Sequence, residues 1–321
     1  MAENEVEHIL VIKLGALGDF IQALGPMAAI RRAHPGARIT LLTTKPFEGF
    51  AKDCGYFDQI WIDERPGLFN FSGWLALRRA LNSKPFKRVY DLQNNDRTGF
   101  YFKLFRRKPE WVGIAKGASH QNRDYCKKTQ HGFDRHVRAL TLAGITDVSL
   151  DHLDWMKGEL SRFSLQRPFV LLVPGCAPSR PEKRWPSSHF ARLAQMVAGL
   201  GFQPVVIGTG SEVQIAAEMV EQCPQVLDLT SQTSFAQIAA LGREAAGAIG
   251  NDTGPMHLIG ATGCPSLVLF SSRSDPVLHA PKGDNVQVLR RDPLGILKPE
   301  EVLERFSPRQ ILGEKAQCTM H

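Results

Sequence analysis

HILVIKLGALGDFIQALGPMAAIRRA, residues 8–33, reads as a buried strand, a glycine turn and a helix in direct succession. Residues 8–14 form an almost continuous apolar run of strand length, the pattern of a strand covered on both faces. Gly15 and Gly18 follow, and from residue 20 to 33 Ile21, Leu24, Ala28 and Ile30 give a helix its apolar side. A buried strand that passes through a tight turn into a helix is the first half of a βαβ unit, so a parallel partner strand is expected.

The expected partners follow along the chain. Residues 37–44 (ARITLLTT), 57–63 (FDQIWID) and 87–93 (KRVYDLQ) read as strands, with helical patterns at 47–54 and 74–82. The pattern weakens between residues 146 and 167, which reads as an interdomain connection ending at Pro168. A second alternating series then starts with PFVLLVPG (168–175). It continues through a helix at 187–200, a strand at 203–210, a helix at 211–222 that Ser211 is placed to cap, and a strand at 226–230. A helix at 235–244, a strand at 247–252, a helix at 255–261 and a strand at 265–271 complete it. The expected organisation is α/β: two doubly wound, Rossmann-like domains, residues 1–160 and 161–321, facing a central cleft.

Composition agrees with two globular domains. The chain has 321 residues, enough for two cores of ordinary size. The six cysteines, at 54, 126, 176, 223, 264 and 318, show no C-x-x-C pair, which excludes zinc-finger and dithiol-redox motifs and suggests reduced thiols in a cytoplasmic setting. The N-terminal MAENEVEHILVIKLG lacks a basic leader segment, and no apolar run approaches the length that spans a bilayer. The formal charge of +7 is uneven: residues 84–138 hold 14 Lys and Arg against 5 Asp and Glu. That excess is either a solvated face or an attraction for an anion such as nucleic acid, an acidic membrane or a phosphorylated substrate. Its aromatic residues are not spaced as a base-stacking platform, so no nucleic-acid partner is expected.

Three segments carry chemistry. In KLGALGD (13–19) two glycines let the backbone approach a ligand at a helix N-terminus, and Asp19 sits at the carboxyl edge of the first strand, where open α/β sheets bind ligands. The residue types allow Asp19 to be either a helix cap or a catalytic carboxylate. The segment is neither a dinucleotide fingerprint, because Leu17 stands where the second glycine belongs, nor a P-loop, because no G-K-[ST] follows. PGCAPSRPEKRWP (174–186) places Ser179, Arg180, Lys183 and Arg184 in a strand-exit loop suited to a phosphate. NDTGPMHLIGATGCP (251–265) ends a strand, turns, and starts a helix whose first turn carries His257. Asp252, Thr253 and Gly254 form the turn and offer N–H donors and a hydroxyl to an anion. No His, Cys or carboxylate cluster has metal-ligand spacing, so no metal is expected.

The string from Asp252 to Pro265 closely resembles glycosyltransferase family 9, the ADP-heptose:lipopolysaccharide heptosyltransferases. Residues 13–19 resemble that family's first strand and G-D turn. Lys183-Arg-Trp-Pro186 resembles its K-x-W-P segment, and His131-Gly-Phe-Asp-Arg135 an H-x-x-x-R segment facing the acceptor. The resemblance implies a GT-B fold whose N-terminal half binds the acceptor and whose C-terminal half binds the nucleotide sugar. It implies inverting transfer of a heptose, without a metal or other cofactor, from a donor such as ADP-heptose to a phosphorylated lipopolysaccharide inner-core glycolipid. The enzyme would then work peripherally on the cytoplasmic face of the inner membrane. Asp19 would be the general base; Ser179 and Lys183 would hold the donor diphosphate; Asp252, Thr253, Gly254 and His257 would contact sugar and phosphates; and Glu212 would hold the ribose. His131 and Arg135 are acceptor candidates by resemblance, Arg97 and Lys116 by charge and loop position. Where the family has a G-P-[TS]-D-P-like turn this chain reads Ser271-Ser-Arg-Ser-Asp-Pro276, which leaves the sugar open. The alternatives are transfer of another sugar, a sugar-nucleotide epimerase of the same fold, or a non-enzymatic protein that binds nucleic acid or a membrane surface through its basic stretch.

Overall fold

The computed structural model describes residues 6–126, 128–176 and 179–309. The acidic N-terminal residues 1–5 and Cys318 lie outside them; the other five cysteines are free thiols. The chain divides into two compact units, Met1–Asp151 and His152–His321.

The first unit runs β1 (His8–Ile12), α1 (Leu17–Ala33), β2 (Arg38–Thr43), α2 (Glu48–Asp53), β3 (Gln59–Ile62), α3 (Phe71–Leu81), β4 (Phe86–Asp91), α4 (Asp96–Leu104), β5 (Glu110–Gly113), β6 (His120–Gln121) and α5 (Gly132–Leu142). Its six strands lie in the order β3-β2-β1-β4-β5-β6, and every neighbouring pair is parallel. Successive residues of a strand point to opposite faces. Leu10 and Ile12 of β1 therefore share one core with Leu77 and Leu81 of α3 and Tyr101 and Phe102 of α4. Ile9 and Val11 are equally buried on the other face, and α1 packs beside α5.

The second unit runs β7 (Phe169–Val173), α6 (Ser187–Gly199), β8 (Gln203–Val206), α7 (Val213–Gln222), β9 (Leu227–Asp228), α8 (Phe235–Glu244), β10 (Gly247–Asn251), α9 (Gly254–Ala261), β11 (Ser266–Phe270), α10 (Pro276–His279), β12 (Val286–Arg290) and α11 (Pro299–Arg305). The order β12-β11-β10-β7-β8-β9 is again fully parallel. One of its cores joins Val170 and Leu172 to Phe190 and Leu193 of α6, Met219 of α7 and Val302 of α11.

Residues 152–167, read from sequence as a connection, are held on the second unit. Arg243 donates to the carbonyl oxygens of Leu153 and Met156, and Leu153, Met156, Leu160 and Phe163 are buried. The segment lacks a period because it packs as an irregular strap whose backbone is satisfied by side chains. The helix expected to be capped by Ser211 starts differently. Thr209 caps a 3₁₀ turn, Gly210–Glu212, that leads into α7, and the Ser211 hydroxyl donates to Glu212 instead.

Candidate active site

Each sheet reverses its winding once. In the first, β1 has β2 on one side and β4 on the other, so chains leaving the carboxyl ends of β1 and β4 turn to opposite faces and open a crevice. An open cavity of about 520 Å³ lies there, lined among others by Asp19, Arg65, Gln93, Asn95 and Arg97. Gly15, between β1 and α1, has φ +120° and its α-carbon faces the Phe47 ring so closely that a β-carbon would lie 2.7 Å from it. Only glycine fits that turn without strain. The N-cap of α1 is Ala16, without a side-chain bond, and Asp19 is the third helical residue and exposed. Asp19 is therefore not the cap; its carboxylate opens onto the cavity and sits at the positive end of the α1 dipole.

Two buried carboxylates shape the rest of the cavity. Asp91, at the end of β4, accepts from the backbone N–H groups of Gln93 and Asn94 at 3.1 and 2.9 Å, which folds the exit loop back over the strand end. Burial pushes its carboxyl up to about 6, against the pull of those donors. Gln93 then accepts from the Leu14 N–H at 2.9 Å, joining the β4 loop to the β1 loop. Asp63, after β3, accepts from the Arg65 N–H at 2.8 Å and from the Tyr101 hydroxyl at 2.5 Å. Burial first, with Asp63 beside it, pushes the Tyr101 phenol up, so it remains a protonated donor at neutral pH. Arg97 donates to Tyr101 and to the Pro66 carbonyl and lies over the Trp74 ring at 5.4 Å. Arg65 donates to the Leu14 carbonyl at 2.6 Å. Both guanidiniums are thus held at the cavity beside Asp19.

Of the acceptor candidates, Arg97 lines this cavity. His131 is the N-cap of α5, is buried, and accepts from the Phe133 N–H at 3.2 Å. Arg135 donates to the Gln130 carbonyl and stacks over the Tyr125 ring at 5.3 Å. The start of α5 packs on α1, where Gly132 lies against the Gln22 side chain, three residues beyond Asp19. Lys116 is exposed on the loop after β5 and does not line the cavity. Sequence reading missed Arg65, Gln93 and Asn95. None sits in a motif, and the one available signal is position: Gln93 ends an expected strand, and Arg65 and Asn95 lie two residues beyond one.

In the second sheet β7 lies between β10 and β8, so the reversal falls between β7 and β10. The Lys183 ammonium and the Asp252 carboxylate meet across this point at 2.6 Å, both largely buried. The loop that carries Lys183 is pinned. Asn251 accepts from the Trp185 N–H and donates to the Pro174 carbonyl, while the fully buried Trp185 indole donates to Leu297. Thr253 is the N-cap of α9, Gly254 its first residue, and His257 lies buried on its first turn. Ser179 is exposed in the Lys183 loop. Glu212 is buried against Gly175 and Gly208, where a β-carbon would lie 2.9 and 2.8 Å from it. Its carboxylate accepts from the Thr209 N–H and hydroxyl and from the Ser211 hydroxyl. Glu212 thus shapes the β8 exit loop.

The family model of glycosyltransferase family 9 (heptosyltransferase) matches residues 74–301, most of the chain and parts of both units. The chain belongs to this family. Lipopolysaccharide heptosyltransferase 2 of Escherichia coli K12 is 32% identical over 309 residues, covering 88% of this chain and 87% of that protein. Three further curated relatives are matched over only 37% to 39% of their own length. Among solved structures, a family 9 glycosyltransferase of Veillonella parvula DSM 2008 superposes with TM-score 0.80 at 24% identity, covering 93% of this chain and 95% of that one. The E. coli ADP-heptose lps heptosyltransferase II superposes with TM-score 0.73 at 21% identity, covering 92% and 96%. This glycosyltransferase therefore has the GT-B fold. The Lys183 and Asp252–His257 segments lie inside the family match, and Asp19 precedes it.

Proposed function

We propose that this glycosyltransferase transfers heptose from ADP-heptose to a phosphorylated inner-core glycolipid of lipopolysaccharide. The observation that carries the reading is the first-unit cavity, which sets the exposed carboxylate of Asp19 beside two anchored guanidiniums, Arg65 and Arg97. A carboxylate is the group needed to take a proton from a sugar hydroxyl, and guanidiniums bind phosphate with paired donors. In the reaction the acceptor oxygen attacks the anomeric carbon as its proton passes to Asp19. The bond from that carbon to the diphosphate breaks, ADP leaves, and the anomeric configuration inverts. Lys183, Ser179 and the N-terminus of α9 at Thr253 and Gly254 carry the charge of the departing diphosphate. Asp252 and His257 bind the sugar, and Asp252 also holds Lys183 in place. The family resemblance supports the donor, as does the name of the superposed E. coli structure; a cytoplasmic site of action at the inner-membrane surface goes with that acceptor. Incubation with a panel of nucleotide sugars, with and without a phosphorylated Kdo–lipid A acceptor, tests the reading. ADP release that requires both ADP-heptose and acceptor is expected. Turnover of a nucleotide sugar without acceptor would instead mark an epimerase, and tight binding of random DNA or RNA a nucleic-acid protein.

Two further outcomes follow. Activity survives EDTA: the family resemblance implies transfer without a metal, and the cations already named neutralise the leaving group. Loss of turnover on chelation, restored by Mg²⁺ or Mn²⁺, refutes this. Arg135→Ala raises the acceptor KM by about tenfold, as loss of a charge-assisted contact does, and leaves the donor KM unchanged because the donor is assigned to the second unit. The defect shrinks at high salt, where exposed charge attraction is screened. Equal changes in both KM values count against an acceptor role.

A further inference from the structure

A loop and two helices of the first unit hold large apolar side chains in water. Leu68 is 84% exposed, Phe69 88% and Phe71 77%. Leu75 of α3 and Phe100 of α4 add to the patch, because Trp74 meets Phe100 edge-on at 5.2 Å and sets the two helices side by side. Scattered exposed apolar residues are ordinary, but a contiguous group marks an interaction surface. The fold does not use these side chains: α3 buries its opposite side, Leu77 and Leu81. Nor are they exposed through slack. The Asn70 side chain caps α3 by accepting from the Gly73 N–H at 2.9 Å, and the Trp74 indole donates to the Gly67 carbonyl at 3.0 Å. Leu68 and Phe69 sit within a loop closed at both ends.

The same helices end in positive charge. Arg78 and Arg79 close α3, Lys103 closes α4, and Arg106, Arg107 and Lys108 follow it, all exposed. Asn82 ties the two ends together, donating to the Leu104 carbonyl at 3.0 Å and accepting from the Arg106 N–H at 2.7 Å. Lys84 and residues 106–108 thereby line one open cavity of about 400 Å³. Residues 65–90 contain no carboxylate, and Asp96 is the only one on α3 or α4.

We propose that this face docks the enzyme on an anionic bilayer, with Leu68, Phe69 and Phe71 entering below the headgroups and Arg78, Arg79 and residues 106–108 pairing with lipid phosphates. An apolar tip with a basic flank is complementary to the two layers of such a membrane, the acyl boundary and the anionic headgroup plane. A second copy of the chain would present the same positive flank and repel this one. The proposal deepens the lipid-linked acceptor reading and rests on it for its purpose. Arg97, which lines the Asp19 cavity, also lies over Trp74 and donates to Pro66, so the docking face and that cavity share a wall. A glycolipid headgroup rising from the bilayer meets the cavity at that wall.

The test is co-sedimentation with vesicles of phosphatidylethanolamine and phosphatidylglycerol, against vesicles of phosphatidylcholine alone, at low and high salt. Wild-type protein is expected to prefer the anionic vesicles by about tenfold or more at low salt. The variant Leu68→Ser/Phe69→Ser/Phe71→Ser loses about tenfold in partitioning at both salt levels, since apolar insertion is not screened. Arg106→Ala/Arg107→Ala/Lys108→Ala loses about as much at low salt and little at high salt. No preference by the wild type, or wild-type binding by the apolar triple variant, overturns the proposal. So does a wild-type dimer, seen by sedimentation velocity, that the apolar substitutions turn into monomer. Transfer to a soluble, acyl-free acceptor separates this from the functional reading: both triple variants keep wild-type turnover there. Absence of turnover in the wild type would sink the functional reading and leave the vesicle result standing.

Discussion

Asp19→Asn lowers the turnover of heptose transfer by about 10² to 10⁴, the usual contribution of a positioned general base, and leaves ADP affinity unchanged. The amide keeps the shape and hydrogen-bonding reach of the carboxylate but cannot accept the acceptor's proton. The fold survives, because Asp19 is exposed and is not the cap of α1. Its loss removes only a helix-dipole interaction worth about 0.3–1 kcal/mol. Single-turnover kinetics with saturating donor and acceptor, beside a thermal melt, check both parts. An Asn variant that retains half of wild-type turnover would show that the carboxylate stands beside the reaction without taking part.

Lys183→Ala weakens binding of ADP and ADP-heptose by about 10- to 150-fold, equivalent to the roughly 1.5–3 kcal/mol of a hydrogen bond to a charged group. Two effects act in the same direction. The ammonium is lost from the diphosphate, and the Asp252 carboxylate, paired with it at 2.6 Å and only 8% exposed, is left as an uncompensated negative charge. Titration calorimetry with ADP reads the change directly. Asp252→Asn added to Lys183→Ala should recover part of the affinity, because the repulsion goes with the carboxylate. Unchanged affinity in Lys183→Ala places the lysine outside the donor site. No recovery in the double variant assigns the whole loss to the missing ammonium.

The same two positions show how far sequence reading reaches. Lys183 and Asp252 are both donor-site candidates, in motifs 69 residues apart, but nothing in either motif says that they touch. They meet because β7 and β10 are neighbours in the sheet although not in the chain. Charge and loop position single out Arg97 and Lys116 alike, yet of the two it is Arg97 that lines the Asp19 cavity. Charge is a property of composition, whereas the cavity wall depends on which residue Asp63 and Tyr101 hold in place. Short or atypical elements also escaped. The segment DRTGFYFKL holds a glycine and four aromatic or β-branched residues with weak helix propensity, yet it forms α4. The reciprocal cap between Asn95 and Thr98 starts it, and burial of Tyr101 and Phe102 completes it.

What the sequence alone determined is whatever is written in short-range periodicity and contiguous motifs. That covers the βα alternation, the parallel two-sheet architecture with its glycine turns, and the family carried by residues 251–265. Burial pattern and turn chemistry are local, so neighbouring residues suffice to specify them. Only the tertiary structure decided the rest. It excluded Asp19 as a cap, tied Glu212 to Thr209, and brought Arg65 to the cavity from a strand exit 51 residues away from its partner Leu14. It also placed residues 152–167 on the second unit through Arg243. For Arg65 and Arg243 the deciding contact joins residues distant in the chain, and strand order, which sets those contacts, is fixed by the packing of whole faces against one another rather than by any single segment.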